Sequence, residues 1–327
     1  MPRPLRTATL VGVLVLILGG CGKAAEAPSS PTVGRPELAE LTIGVLPIAD
    51  VAPIYLAIDR GLFANEGLEV TVELVQGGAA AIPALVAGDL DIAYGNWVSF
   101  LLANQADVDL RAVAAGVAAA PGFTELLALP ESGLEGNPAG LAGTTVAVNT
   151  LANIGELAIR STLRDAGLEP DAVQLIEFPF PEMAAALERG DADVIWASEP
   201  VPTVVKRDLE AVVVTDSFVG EMDAFPVAGY QATEEFVNAN PNTVAAFRRA
   251  LASAVALIRD EPDALTDTLL AYTGLPREVV EELSLPSYEA GLDAATLERV
   301  RDYLVEFGLL EEGLDVSGLV AAGSRSE

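Results

Sequence analysis

The residues of this chain that could do chemistry are carboxylates, amides, hydroxyls and a few aromatic rings. The usual nucleophiles and metal ligands are missing: histidine is absent and Cys21 is the only cysteine. That excludes Ser-His-Asp triads, His–Cys metal sites, internal disulfides and a cysteine nucleophile in the folded part. No catalytic residue, metal or cofactor is expected. Three carboxylates stand where a ligand could meet them, Asp50, Glu182 and Glu199. Such groups accept hydrogen bonds or, in an enzyme, move protons. Tyr55, Trp97 and Trp196 offer rings for stacking, although Trp196 ends an apolar run and reads better as core. Gly77-Gly78 either lets the backbone approach a ligand closely or makes an ordinary turn. Asp50 either contacts a ligand or caps the helix that begins near Pro53.

These residues are held by a duplicated frame. The first copy opens with Leu41-Thr42-Ile43-Gly44-Val45-Leu46 and closes with Ala84-Leu85-Val86-Ala87-Gly88-Asp89-Leu90-Asp91, followed by Ile92-Ala93-Tyr94-Gly95-Asn96. The second opens with Thr145-Val146-Ala147-Val148 and closes with Ala186-Leu187-Glu188-Arg189-Gly190-Asp191-Ala192-Asp193, followed by Val194-Ile195-Trp196-Ala197-Ser198. Two copies are too few for a solenoid and fit two similar lobes built of βαβ units. In each, a helix ends at a glycine that takes the left-handed cap cheaply, the aspartates solvate the turn, and the apolar run is a buried parallel strand. The aspartates are architectural.

Strands are expected over residues 41–46, 69–74, 92–95, 110–117, 124–129, 145–148, 173–178 and 211–215, with a return to the first lobe over 225–231. Helices are expected over 53–65, 79–87, 154–166, 244–259, 262–272, 277–283 and 294–307. Strands alternating with helices make an α/β fold with mainly parallel sheets. The glycines and prolines of 130–143 mark the crossover, so lobe 1 takes residues 41–135 plus 225–327 and lobe 2 takes 136–224.

Ligands of open α/β sheets bind beyond the carboxyl ends of the strands. Two facing lobes therefore place six loops around one cleft: 47–52, 76–79, 95–99, 149–153, 178–182 and 197–200. They carry Asp50, Gly77, Gly78, Asn96, Trp97, Asn149, Thr150, Asn153, Glu182 and Glu199, with Tyr55 just past the first loop. Four lead directly into helices, whose free N–H groups point into the cleft.

With 327 residues, 51% of them hydrophobic, the chain can build two ordinary domains. A formal charge of −30, with Lys23 and Lys206 the only lysines, argues against nucleic acid and fits a soluble, self-repelling surface. At the amino terminus, Arg3 and Arg6 precede an apolar core over 8–18, of signal-peptide length and too short to span a bilayer. Leu18-Gly19-Gly20-Cys21 resembles a bacterial lipobox, in which cleavage before Cys21 leaves a thiol for acylation. Residues 1–20 are thus expected to be a lipoprotein signal peptide, Cys21 the lipid attachment site, and 21–40 a disordered tether.

Several motifs together resemble a family. Pro53-Ile54-Tyr55-Leu56-Ala57-Ile58-Asp59-Arg60-Gly61-Leu62-Phe63, Glu66-Gly67-Leu68-Glu69-Val70, the closing motif at 84–93, Gly140-Leu141-Ala142-Gly143-Thr144-Thr145-Val146-Ala147-Val148 and Glu199-Pro200 carry the likeness. They are similar to the ABC-transporter substrate-binding lipoproteins of the nitrate/sulfonate/taurine (SsuA/THI5-like, NMT1) family, over about residues 41–236. The resemblance implies a two-lobed periplasmic-binding-protein fold of type II. It also implies an extracytoplasmic, lipid-anchored, monomeric receptor that closes on a small molecule and delivers it to an ABC permease and its ATPase.

The residues then qualify the ligand. None of the six loops holds Lys or Arg, whereas Asp50, Glu182 and Glu199 lie in them. Helix N-termini would be the main compensation for an anion, worth about 0.3–2 kcal/mol each. A neutral or amine-bearing heterocycle is therefore expected ahead of sulfonate, nitrate or taurine, with Arg111 and Arg160 the cations that could still reach inward. The rival reading is an enzyme of thiamine-pyrimidine metabolism on the same fold, using carboxylate acid/base chemistry.

Overall fold

The computed structural model of the protein describes Met1 and residues 34–323. The expected signal peptide, Cys21 and most of the expected tether lie outside the described residues. Among those described, no helix is long and apolar enough to cross a membrane.

The first copy of the repeat folds as β1 (Glu40–Val45), α1 (Ala52–Asp59), α2 (Leu62–Asn65), β2 (Glu69–Leu74), α3 (Gly78–Ala87), β3 (Ile92–Asn96), α4 (Trp97–Gln105) and β4 (Leu110–Ala118). Pro53 sits in the first turn of α1 as expected, but Gly61 takes φ +65° and splits the helix expected over 53–65. After β5 (Thr124–Ala128), the second copy follows as β6 (Thr145–Val148), α5 (Ile154–Asp165), β7 (Gln174–Glu177), α6 (Phe180–Arg189), β8 (Val194–Ser198), α7 (Val201–Asp208) and β9 (Val212–Asp216). The rest is β10 (Pro226–Thr233), α8 (Glu234–Ala239), α9 (Pro241–Asp260), α10 (Pro262–Thr273), α11 (Arg277–Val280), β11 (Ser287–Tyr288) and α12 (Ala294–Glu306).

Among the described residues the strands form two sheets, ordered β11-β4-β10-β3-β1-β2 and β7-β6-β8-β5-β9. In each, the first strand of the copy lies between two parallel partners: β1 between β2 and β3, β6 between β7 and β8. The closing motif explains this. Gly88 and Gly190 take φ +79° and +73° and end α3 and α6. The second aspartate then reaches back to the opening strand: Asp91 Oδ2 accepts the Thr42 N–H at 2.8 Å, and Asp193 Oδ2 the Thr145 N–H at 2.8 Å. Every residue of β3 and β8 is buried, in line with their apolar runs.

Each sheet is completed by antiparallel strands. β10 lies between β3 and β4, and β5 between β8 and β9. The stretch 225–231 lies in β10 of the first sheet, whereas β5, expected in the first lobe, belongs to the second sheet. The chain changes sheets between Ala118 and Thr124, upstream of the glycine-rich stretch over 130–143. That stretch holds short turns inside the second lobe. The last residues of the expected tether are also engaged: Glu37 accepts the N–H groups of Asn242 (3.2 Å) and Thr243 (2.9 Å), capping α9.

Candidate functional site

The strand tips of both sheets converge on one cavity, and at its floor lies Asp50. This residue is 3% exposed and sits in a single 3₁₀ turn after β1. Its carboxylate accepts the Tyr94 hydroxyl at 2.9 Å and the Ser198 hydroxyl at 3.3 Å, one from each sheet. It makes no helix cap: Val51 is the N-cap of α1 and no side chain bonds there. Tyr272 and Tyr288 fix the turn from behind by donating to the carbonyls of Ile48 (2.9 Å) and Ala49 (2.8 Å). Burial pushes the Asp50 carboxyl up to about 6, against the opposing pull of Tyr94 and Ser198. Among the described residues, no lysine or arginine lines the cavity.

Around this group the walls are apolar and aromatic: Leu46, Ile48, Phe123, Ile154, Phe180, Trp196 and Val227. Thr124, Asn96, Asn149 and the backbone at Gly78 and Gly95 add neutral polar groups. The cavity volume is ≈ 40 Å³, a few times the about 10–15 Å³ that one water needs. The fit is to a compact ligand.

Hydrogen bonds join the lobes around the cavity. Gln76 and Asn149 exchange amide-to-carbonyl bonds of 3.2 and 3.3 Å, Ser99 Oγ donates to the Ala152 carbonyl at 2.9 Å, and the Ala49 N–H donates to the Glu199 carbonyl at 2.9 Å. The two adjacent glycines serve this closeness. A Cβ at Gly77 would lie 2.8 Å from Asn149 Nδ2, and one at Gly78 2.6 Å from the Gly95 Cα. At Gly77 the close approach is to the other lobe.

Of the residues expected in the site, Asp50, Gly78, Asn96 and Asn149 line the cavity. Asn96 also caps α4 through Ser99 N–H at 2.9 Å. Thr150 and Asn153 stand behind: Asn153 caps α5 and its Nδ2 donates to Asn149 Oδ1 (2.7 Å) and Thr150 Oγ1 (3.3 Å). Tyr55 stacks on Tyr272 at 4.2 Å and is absent from the lining. Trp97 is core, 1% exposed and edge-on to Phe100 at 5.6 Å. Glu182 is exposed in the first turn of α6, away from the lining. Glu199 is buried, but its carboxylate is taken up by the Thr203 hydroxyl (2.7 Å) and the N–H groups of Thr203 and Ser284. Burial raises its pKa, with those donors opposing. Neither Arg160, paired with Glu156 at 2.9 Å, nor Arg111, paired with Glu234 at 2.6 Å, lines the cavity.

Sequence reasoning missed Tyr94, Phe123, Thr124, Phe180, Ser198, Val227 and Ala228, and for Trp196 it preferred the core over the cavity. Tyr94, Trp196 and Ser198 were within reach, since they lie on the closing strands β3 and β8 whose tips make the site. Phe123 and Val227 lie at the two sheet changes, where no periodic pattern points.

A family model described as NMT1/THI5 like matches residues 48–265. The nitrate import ATP-binding protein NrtC of Synechocystis sp. is 30% identical over 281 residues, 79% of this chain but 41% of that protein, so the chain spans less than half its length. The formylaminopyrimidine-binding protein of Halalkalibacterium halodurans is 26% identical over 295 residues, 84% of this chain and 87% of that one. Among solved structures, the alkanesulfonate-binding protein SsuA from Xanthomonas axonopodis pv. citri, bound to MOPS, superposes with a TM-score of 0.75 at 21% identity, covering 87% of this chain and 98% of that one. The shared fold is that of periplasmic binding proteins.

Proposed function

Because this chain belongs to the NMT1/THI5-like family, we propose that it is an extracytoplasmic solute-binding protein of an ABC importer. It captures one small molecule between its lobes and hands it to a permease driven by an ATPase. Acylation at Cys21 holds it, as a monomer, at the membrane. It is a receptor and does no catalysis, a reading supported by a relative named as a binding protein.

The ligand is a neutral or amine-bearing heterocycle. The observation that carries this is Asp50, a buried carboxylate in a cavity lined by no cation. At about 4 Å and an effective dielectric constant near 20, a ligand anion and a carboxylate repel by about 4 kcal/mol. A helix N-terminus returns about 0.3–1 kcal/mol, rising to about 2 in partly buried sites. An amine instead gains a charge-assisted bond there.

One observation favours a second reading. With its carboxyl pushed up to about 6, Asp50 can be protonated at pH 7 for about 1.4 kcal/mol, so an anion could enter together with a proton. The two readings have opposite pH slopes. Burial raises the pKa of the tyrosines near Asp50 (Tyr94, Tyr230, Tyr272 and Tyr288), and they stay neutral. Calorimetry from pH 5 to 7.5 separates the readings: amine affinity rises with pH as Asp50 ionises, whereas anion affinity falls. Tight binding of nitrate or an alkanesulfonate alone, strongest at low pH, would overturn the amine reading. Turnover of a bound ligand would overturn the receptor itself, and unchanged membrane partitioning of Cys21→Ala the anchor.

A further inference from the structure

Glu199 follows β8 directly, is fully buried, and is absent from the cavity lining. Burying a carboxylate is costly unless donors surround it. Two of its donors come from Thr203, in the first turn of α7: the hydroxyl at 2.7 Å and the N–H at 3.2 Å. A carboxylate that only capped α7 would stop there. The third donor is the Ser284 N–H at 3.1 Å, from the segment between α11 and β11, and β11 pairs with β4 in the first sheet. The side chain therefore reaches from one lobe to the other. Its main chain does the same: the Glu199 carbonyl accepts the Ala49 N–H at 2.9 Å, next to the 3.3 Å bond from Ser198 Oγ to Asp50. Two consecutive residues of lobe 2 thus grip two consecutive residues of lobe 1.

These bonds close a ring. The Ala49 carbonyl accepts the Tyr288 hydroxyl at 2.8 Å, and Ser284, just before Tyr288 in the chain, donates to Glu199. The Ala49 peptide is held from both sides, by one bond from each lobe. The ring stands beside a crossing between the sheets: the Glu199 N–H donates to the Phe123 carbonyl at 3.1 Å, and a Cβ at Gly122 would lie 2.9 Å from Ser284 Oγ. Groups next to a crossing are displaced least when lobes part, so the ring can outlast the opening of the Gln76–Asn149 contact. We infer that Glu199 is a positioning residue: its carboxylate holds the end of β8 against Ala49 and so fixes the turn that presents Asp50 to the cavity. This deepens the receptor reading above, from which it takes Asp50 as the group that meets the ligand. The cation that acts on Glu199, Lys206, is itself paired with Glu125 at 2.8 Å, so the donors around the carboxylate are neutral.

Amide exchange and a carboxyl titration by NMR, both on the ligand-free protein, test it. In the unaltered protein the Ala49 N–H should be protected; fast exchange there overturns the ring before any variant is made. Glu199→Ala should speed Ala49 exchange at least about tenfold, the scale of a lost bond to a charged group, while Ile43 in β1 stays within about twofold. The Asp50 midpoint, about 6 in the unaltered protein, should fall at least about one pH unit toward 3.8 as the loosened turn admits water. The other titratable groups near Asp50, Tyr94, Tyr230, Tyr272 and Tyr288, stay neutral and cannot produce that shift. Glu199→Gln, which keeps an oxygen to accept from Ser284, should restore most of both values. Equal acceleration at Ala49 and Ile43 reduces Glu199 to general packing, and an Asp50 midpoint unchanged in Glu199→Ala overturns the positioning. Thr203→Val removes one donor and keeps the shape of the side chain. If Glu199→Ala does not fold, this variant should shift both readouts in the same directions, and no shift overturns the proposal. Because no ligand is used, a failed search for ligands counts against the receptor and leaves this result standing.

Discussion

The two lobes are built alike and equipped differently. Each has a strand between two parallel neighbours, a glycine-capped helix, and an aspartate that staples the closing strand to the opening one at 2.8 Å. Each also takes in one antiparallel strand next to its closing strand, β10 in the first and β5 in the second. At the tips the likeness ends. After β1 the first lobe places Asp50, among the described residues the only carboxylate or cation side chain lining the cavity; after β6 the second places Asn149, backed by Asn153. The second lobe also brings Phe180, Trp196 and Ser198. Duplication supplies a frame whose strand ends face each other, and divergence at those ends gives the cleft a charged side and a neutral, aromatic side.

The asymmetry is tested most severely at Asp50. Its carboxyl moves from 3.8 in the unfolded chain to about 6 in the fold, a difference worth up to ~3 kcal/mol. Because the folded value is raised, the protonated group contributes stability below about pH 4, and this is lost as pH rises through 6. Asp50→Asn should therefore stabilise the ligand-free protein at pH 7 by up to ~3 kcal/mol, with the gain shrinking as pH falls from 6 to 4. It should weaken an amine ligand by one to two orders of magnitude, the about 1.5–3 kcal/mol of a bond to a charged group. Chemical denaturation across pH gives the first result and calorimetry the second. A variant no more stable than the parent at pH 7 would show that Asp50 is not a strained charge.

The symmetry is tested at the staples. Asp91→Ala should cost about 1–2 kcal/mol, and Asp193→Ala, whose bond is exposed, about 0.5–1 kcal/mol. Urea unfolding checks the order; if either were neutral, the motif would be turn composition and nothing more. Gln76→Ala breaks the reciprocal amide pair with Asn149 and should remove about 0.5–1 kcal/mol from the closed arrangement. Small-angle scattering should then show a larger ligand-free particle, and an unchanged profile would mean the lobes are held elsewhere. The smallest effect belongs to Glu37. The amides of α9, with Asn242 and Thr243, outweigh its desolvation and hold its carboxyl at about 2. Glu37→Gln should cost a few tenths to about 1 kcal/mol at pH 7, as exposed caps do, and less at pH 2, where the carboxyl is about half protonated. Thermal melts at the two pH values measure it, and equal losses at both would argue against a charge effect.

Much of the frame was legible in the chain. The glycine caps of the closing motifs read correctly because such a cap is a local device, satisfied within one turn of chain, whereas Asp91 and Asp193, expected to solvate the turn, bond the opening strand instead. β2 fell where alternation put it, and Asp50, Gly78, Asn96 and Asn149 reached the cavity because strand tips in such sheets face a ligand. Tyr55 and Trp97 looked the same as cavity aromatics in sequence, yet one stacks behind the Asp50 turn and the other is wedged under Gly229. Ring type says nothing about which face of an element a ring takes. Glu199 misled for a related reason: its partners Thr203 and Ser284 come from a helix and from a distant segment.

The sequence alone determined two repeated α/β units, the absence of histidine and thiol chemistry in the folded part, and a set of loops poor in cations. Those properties follow from residue type and short-range spacing, which act before any distant segment arrives. Tertiary structure alone decided that β5 and β10 trade sheets, that one carboxylate is desolvated between two hydroxyls from opposite lobes, and that the Trp196 N–H is buried without a partner among the described residues. Burial and hydrogen-bond pairing between residues far apart in the chain depend on which surfaces meet, and only the folded arrangement brings those surfaces together.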